Sequence, residues 1–544
     1  MLKFHITYMK FKHYTLREDQ VKLFNFTVDS LKENKKFIII DAPPGIGKSI
    51  YAMSFIDWYH KNYDSMATFD MLTDSKILQE QYTKEFPEIN SLWSKQSYTC
   101  EEHNTDCGTG TDWCKLQGSE CAFCPYKIAK YNFENGMISL TNYHLFFTYR
   151  VLVPEMWKRT SRVLIIDEGH KFENVLGDFV SLKLNKNILS RNGLTEFEIA
   201  EITPYIKNYE DDLDEFVDNM KKYVLPIMTN AAKLLKSAAT IDIKMLNKYN
   251  SLTNLISKFN NIIQEYNKNK ENWTITHDTI KKYNKNKQLT DNYDEVTIEA
   301  VWGTDYLNEY IYSKYDTIIM MSATFLNKEL TCSINGIDPN KASYISLNSP
   351  FPVENRPIYF FSQLGKQTYK TKDMVFKNQL PVLEKIIKKH KTEKGIIHSG
   401  SYELQKWVME QSSTKFYERL IAPETENRMA LLNQHINSEE PTVLISPSMS
   451  EGVDLKEDLS RHQTIIKIPY PNLSSKKVKK RMDTNKEWYG YATVQTIIQA
   501  YGRSIRSDED YAATYILDGC FADLIKWNRK FFPKWVLSAV ETVD

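Results

Sequence analysis

The chain lacks any uninterrupted apolar run of about eighteen residues, so no membrane-spanning helix is expected. Its first residues also lack a sustained apolar stretch followed by a small-residue cleavage site, so no signal peptide is expected. An excess of charge is missing too, because 70 Lys and Arg residues balance 69 Asp and Glu residues. These absences predict a cytoplasmic protein without a membrane partner, in which any contact with nucleic acid must come from local basic patches.

Cysteine is scarce and unevenly placed. Only seven cysteines occur in 544 residues, and Cys332 and Cys520 stand apart from the others. A secreted protein would spread disulfides through its fold, whereas a tight group of thiols in a chain without a secretion signal indicates a metal or iron–sulfur site. Five candidate metal ligands fall in one short segment: Cys100, Cys107, Cys114, Cys121 and Cys124.

Internal repeats are absent as well, and the chain is too long for a single core, so roughly two to four domains are expected. Apolar segments of strand length alternate with helix-like segments, which predicts an α/β sheet. The predicted strands are Phe37–Ile40, Ala67–Leu72, Met137–Leu140, Val163–Ile166, Thr317–Met321, Gly395–His398, Val443–Ser446 and Thr464–Ile468.

This alternation stops between about residues 182 and 287. The region is rich in Lys and Asn, has few strand signals and contains helix-like runs at Leu213–Tyr223 and Met245–Tyr266. It therefore predicts an inserted helical module. The Lys-Asn stretches Tyr266–Asn272 and Lys281–Lys287 are predicted to be solvated loops or helix ends.

The most informative segment is Ala42–Ser49, with the sequence Ala-Pro-Pro-Gly-Ile-Gly-Lys-Ser. It follows an apolar run and precedes a segment without helix breakers, which is the strand, glycine loop and helix start of a phosphate-binding loop. Backbone N–H groups of such a loop bind phosphate oxygens, Lys48 reaches the β- and γ-phosphates, and Ser49 gives an oxygen to Mg²⁺. The segment therefore predicts binding of ATP and Mg²⁺, with loop contacts from Pro44, Gly45, Ile46 and Gly47.

A second phosphate-handling segment begins at the predicted strand Val163–Ile166, which is followed by Asp167 and Glu168. ATP hydrolysis requires a carboxylate that holds Mg²⁺, here Asp167, and a base that orients and deprotonates the attacking water, here Glu168. An acidic pair after a strand is, by itself, more often an ordinary loop start. Together with the upstream phosphate-binding loop, this one predicts a catalytic pair.

The downstream half adds segments that a simple ATPase lacks: Met321–Thr324, Ser450–Asp454 and Gln499–Ser507. The last of them is predicted to be helical, and at helical spacing Gln499, Arg503 and Arg506 share one face. The two arginines are predicted to reach a γ-phosphate bound to a different domain and to act as arginine fingers. A surface arginine pair is the alternative, and the ordered set of motifs argues against it.

In this order the segments resemble those of superfamily 2 helicases of the XPD/DinG type, which carry an iron–sulfur domain. The resemblance covers nearly the whole chain and includes these segments: Tyr14–Gln20 (Q motif), Thr73–Gln81 (motif Ia), Leu140–Leu145, Asp167–His170 (DEAH box, with Gly169 in place of the usual Ala), Phe172–Val175, Ser322–Thr324 (motif III), Ser349–Pro352, Gly452–Asp454 (motif V), Trp488–Tyr489 and Gln499–Arg506 (motif VI). It implies nucleotide contacts from Arg17, Gln20 and Asp454. It also implies these catalytic residues: Lys48, Asp167, Glu168, His170, Gln499, Arg503 and Arg506.

The resemblance further implies four Cys ligands for a [4Fe–4S] cluster, the first after an aromatic residue and the last in a Cys-Pro-Tyr sequence. Cys100 and Cys124 match these two positions. Cys121 is the third choice, because two residues separate it from Cys124, which is the spacing of a thiolate pair. Cys114 is placed fourth by a narrow margin over Cys107. Structural zinc is the alternative to iron–sulfur, because ligand sets made only of thiolates suit both.

The fold implied by the resemblance is α/β, with two RecA-like motor domains and two inserts in the first motor. The predicted segments are 1–92, 136–181 and 296–345 for the first motor, 93–135 for the cysteine-rich iron–sulfur domain, 182–295 for a helical Arch-like insert, and 346–544 for the second motor. The implied activity is ATP-dependent 5′→3′ movement of a monomer on single-stranded and forked DNA, with duplex unwinding, as in DNA repair. RNA–DNA hybrids are a further candidate partner, and the compact size would suit a phage- or virus-encoded protein.

Two other functions remain open on the sequence alone. One is an ATP-driven translocase or remodeller that moves on nucleic acid without separating strands. The other is a catalytically inactive scaffold that binds nucleic acid. A basic run, Lys476–Arg481, is predicted either to contact backbone phosphate or to be a solvated loop.

Overall fold

The computed structural model describes most of the chain, namely residues 10–11, 14–119, 121, 123–206, 212–238, 243–283, 288–423, 428–447, 455, 457–505 and 510–543. Two predicted site elements, the Gly452–Asp454 segment and Arg506, lie outside these ranges. No helix within the described ranges is both long and apolar enough to cross a membrane.

The first lobe is built on a seven-stranded sheet in which every neighbouring pair of strands is parallel. Its central strands are apolar and buried, as a sheet covered by helices on both faces requires. The strand order across the sheet is Ala342–Ser346, Phe37–Asp41, Thr317–Ser322, Val163–Asp167, Phe69–Thr73, Ile138–Asn142 and Asn90–Ser91. The helices of these parts of the chain include Glu18–Lys32, Lys48–Asn62, Lys76–Glu85, Pro125–Asn135, Tyr143–Phe147, Phe172–Val180 and Lys328–Ile334.

The second lobe contains another seven-stranded parallel sheet. Its strands lie in the order Leu420–Ile421, Val443–Ser446, Gly395–His398, His462–Ile465, Ala513–Ile516, Ile358–Phe361 and Val540–Val543. Its helices are Lys372–Lys389, Tyr402–Gln411, Thr414–Tyr417, Arg428–Asn437, Lys476–Thr484, Trp488–Tyr501, Cys520–Asn528 and Lys534–Leu537. The two parallel sheets with their helices confirm the predicted α/β class.

The inserted module contains helices, as predicted, and also a sheet that the sequence analysis missed. Its helices are Lys186–Arg191, Glu196–Ile202, Leu213–Asn219, Leu225–Ala238 and Ile243–Lys268. Its antiparallel sheet has the order Leu182–Asn185, Leu289–Ala300 and Trp273–Tyr283. The predicted helical module is therefore present, with a three-stranded sheet beside its helices. The stretch Lys281–Lys287, predicted as a loop or helix end, continues a strand as far as Tyr283, and residues 284–287 lie outside the described ranges.

The register of the first sheet places its phosphate-handling segments side by side. Ser322 pairs with Asp41 on one neighbouring strand, and Met321 pairs with Asp167 on the other. Because these strands are parallel, the loops that follow them leave the sheet at one edge, where α/β proteins bind ligands. That edge faces the second lobe.

Candidate functional site

A cleft of about 400 Å³ lies between the two lobes and is lined by predicted site residues from both. The first lobe contributes Pro44, Gly45, Gly47, Lys48, Ser49, Asp167 and Glu168, and the second contributes Gln499, Gly502 and Arg503. The structure therefore brings together segments that are more than half the chain apart in sequence.

The loop before the helix Lys48–Asn62 has the shape that phosphate binding needs. Gly45 and Gly47 have φ angles of +83° and +80°, a left-handed conformation that glycine adopts without steric cost. A Cβ on Gly45 would overlap the ring of Phe351. Lys48 begins the helix, and its Nζ donates to the carbonyl oxygen of Ala42 at 3.0 Å. A helix N-terminus with an adjacent lysine is a binding site for anions, so this loop fits a nucleotide phosphate.

Arg17 and Gln20, predicted nucleotide contacts, lie against this loop. A guanidinium nitrogen of Arg17 donates to the carbonyl oxygen of Gly45 at 2.8 Å, and Gln20 Nε2 donates to that of Gly47 at 3.2 Å. The Arg17 backbone N–H in turn donates to Gln20 Oε1 at 2.9 Å. Both side chains therefore hold the curled backbone of the phosphate-binding loop in place.

Asp167 ends the strand Val163–Asp167 and is buried. Its Oδ2 accepts a hydrogen bond from Tyr82 Oη at 3.0 Å, and its Oδ1 accepts one from the Glu168 backbone N–H at 3.0 Å. Burial and the neighbouring Glu168 carboxylate raise the pKa of Asp167 to about 6. A divalent cation would offset both effects, so this carboxylate fits the Mg²⁺ role.

Glu168 has a φ angle of +55°, which is uncommon for a residue other than glycine and turns the chain sharply after the strand. Its Oε2 lies 3.3 Å from His170 Nδ1, which is also 2.8 Å from Ser322 Oγ. Burial alone would raise the pKa of Glu168, but His170, Lys48 and Lys171 outweigh it and hold that pKa below its ordinary value. Glu168 is therefore ionised and able to accept a proton from water.

Motif III connects the first lobe to the second. Gln499 Nε2 donates to Thr324 Oγ1 at 2.6 Å, and Gln495 Nε2 donates to the Thr324 carbonyl oxygen at 2.7 Å. The sequence analysis named Gln499 but missed Gln495, which lies one helical turn earlier on the same face. It also missed Tyr82, which directly follows the motif Ia segment and contacts Asp167.

The expected helical face shared by Gln499, Arg503 and Arg506 is wrong. The helix Trp488–Tyr501 ends at Gly502, where a Cβ would lie only 3.0 Å from Pro44 Cγ of the phosphate-binding loop. Glycine also disfavours helix continuation by about 1 kcal/mol relative to alanine. Arg503 therefore follows the helix and still lines the cleft, and Arg506 lies outside the described residues.

The cysteine segment forms a small core of its own, with strands Thr99–Cys100 and Thr105–Asp106 and the helix Cys107–Gln117. Its buried thiols are those of Cys100, Cys107 and Cys124, and Cys121 packs against them. The sulfurs of Cys107 and Cys124 are 4.0 Å apart. Burial and the nearby thiols of Cys124 and Cys100 raise the pKa of Cys107 to about 11.

Cys114 faces a different group. Its sulfur lies 3.6 Å from His103 Nε2, and Glu102 completes a cluster with these two side chains. The sequence analysis placed Cys114 ahead of Cys107 as the fourth cluster ligand. The structure instead brings Cys107 to the buried thiols.

A second cleft of about 560 Å³ separates the cysteine segment from the long insert helix Ile243–Lys268. Its lining is mostly uncharged amides and hydroxyls: Gln96, Thr109, Asn247, Asn250, Ser251, Thr253 and Asn254. The Asn250 amide donates to Asp112 Oδ1 at 3.3 Å, so the insert and the cysteine segment touch across this cleft.

Two family models match the chain. The Helicase C-terminal domain covers residues 383–539, and the Type III restriction enzyme res subunit covers residues 13–193. "Probable ATP-dependent helicase MJ0942" of Methanocaldococcus jannaschii is 21% identical over 95% of this chain and 93% of that protein. The ATP-dependent DNA helicase chl-1 of Caenorhabditis elegans is 34% identical, over only 17% of this chain and 12% of that protein.

Solved structures share the whole architecture. An XPD helicase structure superposes with a TM-score of 0.67 at 16% identity, covering 97% of this chain and all of that one. An apo XPD structure gives 0.63 at 16% identity, over 96% of this chain and 100% of that one. At this identity the likeness shows the fold, and the family models and the archaeal relative add the helicase assignment. Together these matches support an ATP-hydrolysing superfamily 2 helicase of the XPD/DinG type.

Proposed function

We propose that this protein uses ATP, with Mg²⁺, to move 5′→3′ along single-stranded DNA and to separate the strands of a forked duplex. The observation that carries the proposal is the cleft shared by both lobes, in which Lys48 and Glu168 of the first lobe lie opposite Arg503 of the second. A nucleotide bound there would draw the lobes together, and hydrolysis would release them. The direction of movement follows the family resemblance.

Within this proposal each residue of the cleft has one role. Lys48 would hold the β- and γ-phosphates, and Ser49 and Asp167 would hold Mg²⁺, which supplies positive charge to the transferred phosphoryl group when bound. Glu168 takes the proton of the attacking water. Arg503, together with Arg506, stabilises charge on the transferred group from the second lobe.

We assign the path of the single-stranded DNA to the cleft between the cysteine segment and the insert helix. Its amide and hydroxyl side chains are of the kind that contact phosphates and sugars without reading a base sequence. The hydrogen bond between Asn250 and Asp112 joins the two segments that line this cleft.

An unwinding assay on matched 5′-tailed, 3′-tailed and RNA-containing duplexes tests the proposal. The expected result is ATP-dependent unwinding of the 5′-tailed DNA fork and little unwinding of the 3′-tailed one. Displacement of streptavidin from biotinylated single strands, without strand separation, would favour the translocase instead. Binding of single-stranded DNA without ATP hydrolysis would favour the catalytically inactive scaffold.

The buried thiols of Cys100, Cys107 and Cys124, with Cys121 beside them, support an assignment of these four as the ligands of a [4Fe–4S] cluster. Four thiols are the donor set that such a cluster requires, and these four belong to one small core. Zinc would fit the same donors. Cys114, which faces His103, is left out of the set.

Cys107→Ser is expected to bleach the brown colour of protein purified without oxygen and to lower its content from about four iron atoms per chain. Cys114→Ser is the matched control and should keep both colour and iron. The Cys107 variant should lose unwinding more than ATP hydrolysis, because the thiols lie outside the nucleotide cleft. Bleaching by Cys114→Ser but not by Cys107→Ser would reverse the ligand assignment. If the wild-type protein is colourless and holds one zinc ion per chain, the iron–sulfur assignment is wrong and the site is a zinc site.

A further inference from the structure

The basic run Lys476–Arg481 is neither a loop nor exposed along its length. It forms most of the helix Lys476–Thr484, here called the clamp helix, which Ser475 caps by accepting a hydrogen bond from the Val478 backbone N–H. Lys477 and Arg481 are buried. The predicted solvated loop is therefore wrong, because both side chains point into the boundary between the lobes.

Arg481 is held by a set of contacts that use its whole guanidinium group. One terminal nitrogen lies 2.8 Å from Glu173 Oε1, with each side chain only 3% exposed. Its Nε donates to the carbonyl oxygen of Val301 at 2.6 Å. Its plane lies over the rings of Trp302 at 4.5 Å and Trp488 at 5.4 Å. A planar, delocalised cation with several donors suits this site, whereas an ammonium group does not.

The carboxylate partner belongs to the first lobe. Glu173 lies in the first turn of the helix Phe172–Val180, here called the motif II helix, which begins two residues after His170. Its Oε1 also accepts the Gly303 backbone N–H at 2.7 Å. Farther along the same helix, Asp178 accepts a hydrogen bond from Lys477 Nζ at 2.8 Å. The clamp helix is thus tied to the motif II helix at two points.

The clamp helix also contacts the helix Trp488–Tyr501. This second helix is here called the finger helix, because Arg503 follows its C-terminal end. Trp488, the first residue of this helix, contacts Arg481 and packs edge-on against Trp302 at 6.0 Å. At the other end, Gln495 and Gln499 hold Thr324. The finger helix is therefore fixed against first-lobe groups at both ends.

We propose that the Glu173–Arg481 ion pair is a positioning device for ATP hydrolysis: it holds the finger helix in the orientation that presents Arg503 to the cleft opposite Glu168. The proposal rests on the roles assigned above to those two residues. A buried ion pair is weak as a source of stability, because well-packed apolar side chains often serve as well or better. In this protein the ion pair fixes orientation, since it connects two lobes that must meet in one arrangement.

Glu173→Gln and Arg481→Lys are the test variants, and Asp70→Asn is the matched control. Asp70 forms an equally buried pair with Arg159, at 2.6 Å and 2% exposed, but entirely within the first lobe. Nucleic-acid-stimulated kcat is expected to fall at least about tenfold in each test variant, because small displacements far from the chemistry have large effects on rate. Nucleotide Kd should change less than about threefold, since the phosphate-binding loop is untouched.

Three comparisons decide the proposal. A double variant, Glu173→Gln with Arg481→Lys, should lose no more kcat than the worse single variant, because the pair acts as one unit. The control should unfold at a lower temperature but keep its kcat where it is folded. Unchanged kcat in folded test variants, additive losses in the double variant, or an equal kcat loss in Asp70→Asn would each overturn the positioning role.

A readout independent of turnover separates this proposal from the proposed function. Fluorescence energy transfer between dyes on the two lobes reports their approach when a non-hydrolysable ATP analogue binds. Arg481→Lys should fail to reach the wild-type closed distance at saturating analogue. If Arg481→Lys closes as fully as the wild type, the positioning role of the Glu173–Arg481 pair is contradicted. If the wild type closes but hydrolyses no ATP, the proposed function alone is contradicted.

Discussion

Glu168→Gln is expected to bind nucleotide as the wild type does and to hydrolyse ATP about a thousandfold more slowly, within the range that loss of a general base produces. The amide keeps the size of the side chain and its position after Asp167, but it cannot accept a proton from water. In the wild type, the contact with His170 and the charges of Lys48 and Lys171 hold the pKa of Glu168 below its ordinary value, so its carboxylate is ionised at neutral pH. Phosphate release measures turnover, and a fluorescent ATP analogue measures affinity.

Glu410→Gln is the matched control for this prediction. It makes the same chemical change at an exposed carboxylate on the helix Tyr402–Gln411 of the second lobe, which does not line the cleft. Its turnover should equal that of the wild type. Rapid hydrolysis by Glu168→Gln would remove Glu168 from the role of base.

Arg503→Lys is expected to reduce hydrolysis by about a hundredfold or more, as loss of an arginine finger does. Lysine keeps the positive charge but lacks the planar fork that contacts two oxygens of a phosphoryl group. Arg503 lines the cleft from the second lobe, opposite the residues that bind nucleotide. Affinity for ATP should therefore change far less than turnover. Arg506, outside the described residues, is predicted to share this role.

Arg529→Lys supplies the control, because Arg529 is an exposed arginine of the same lobe and is not among the residues that line the cleft. It should behave as wild type in both assays. Equal losses of affinity and turnover in Arg503→Lys would instead indicate that Arg503 binds the ground state of the nucleotide.

The nucleotide site could be predicted from the sequence because its chemistry lies in short contiguous segments. The fold is not needed to recognise Gly45, Gly47 and Lys48, or the acidic pair that ends an apolar strand. The structure adds what depends on distant partners. Tyr82 reaches Asp167 only because the sheet register places its helix beside that strand.

The strands that the sequence analysis missed were short or polar. Ile358–Phe361 and Val540–Val543 are four residues each and pair only with each other and with Ala513–Ile516, so their identity depends on the assembled sheet. In the insert, the long hairpin Trp273–Tyr283 and Leu289–Ala300 buries consecutive residues near its base, and its outer half is rich in Lys, Asp and Asn. Neither half shows the alternation of buried and exposed residues by which a strand is predicted from sequence.

The two largest differences between expectation and structure concern side chains whose burial could not be predicted from the residue type. Arg481 was read as part of a basic surface run, yet it is buried against Glu173 of the other lobe. Cys107 was ranked last among the thiols, yet its sulfur lies 4.0 Å from that of Cys124. In both residues the chemical type was visible in the sequence, and the partner was not.

The central claim is that a nucleotide bound between two lobes drives movement on nucleic acid. Its most direct test is the rate of ATP hydrolysis by the wild-type protein as single-stranded DNA is added, measured beside Glu168→Gln. The account predicts hydrolysis that rises with DNA to a plateau and is lost in the variant. A wild-type protein that hydrolyses no ATP with either single-stranded DNA or RNA, or hydrolysis that persists in Glu168→Gln, would contradict it.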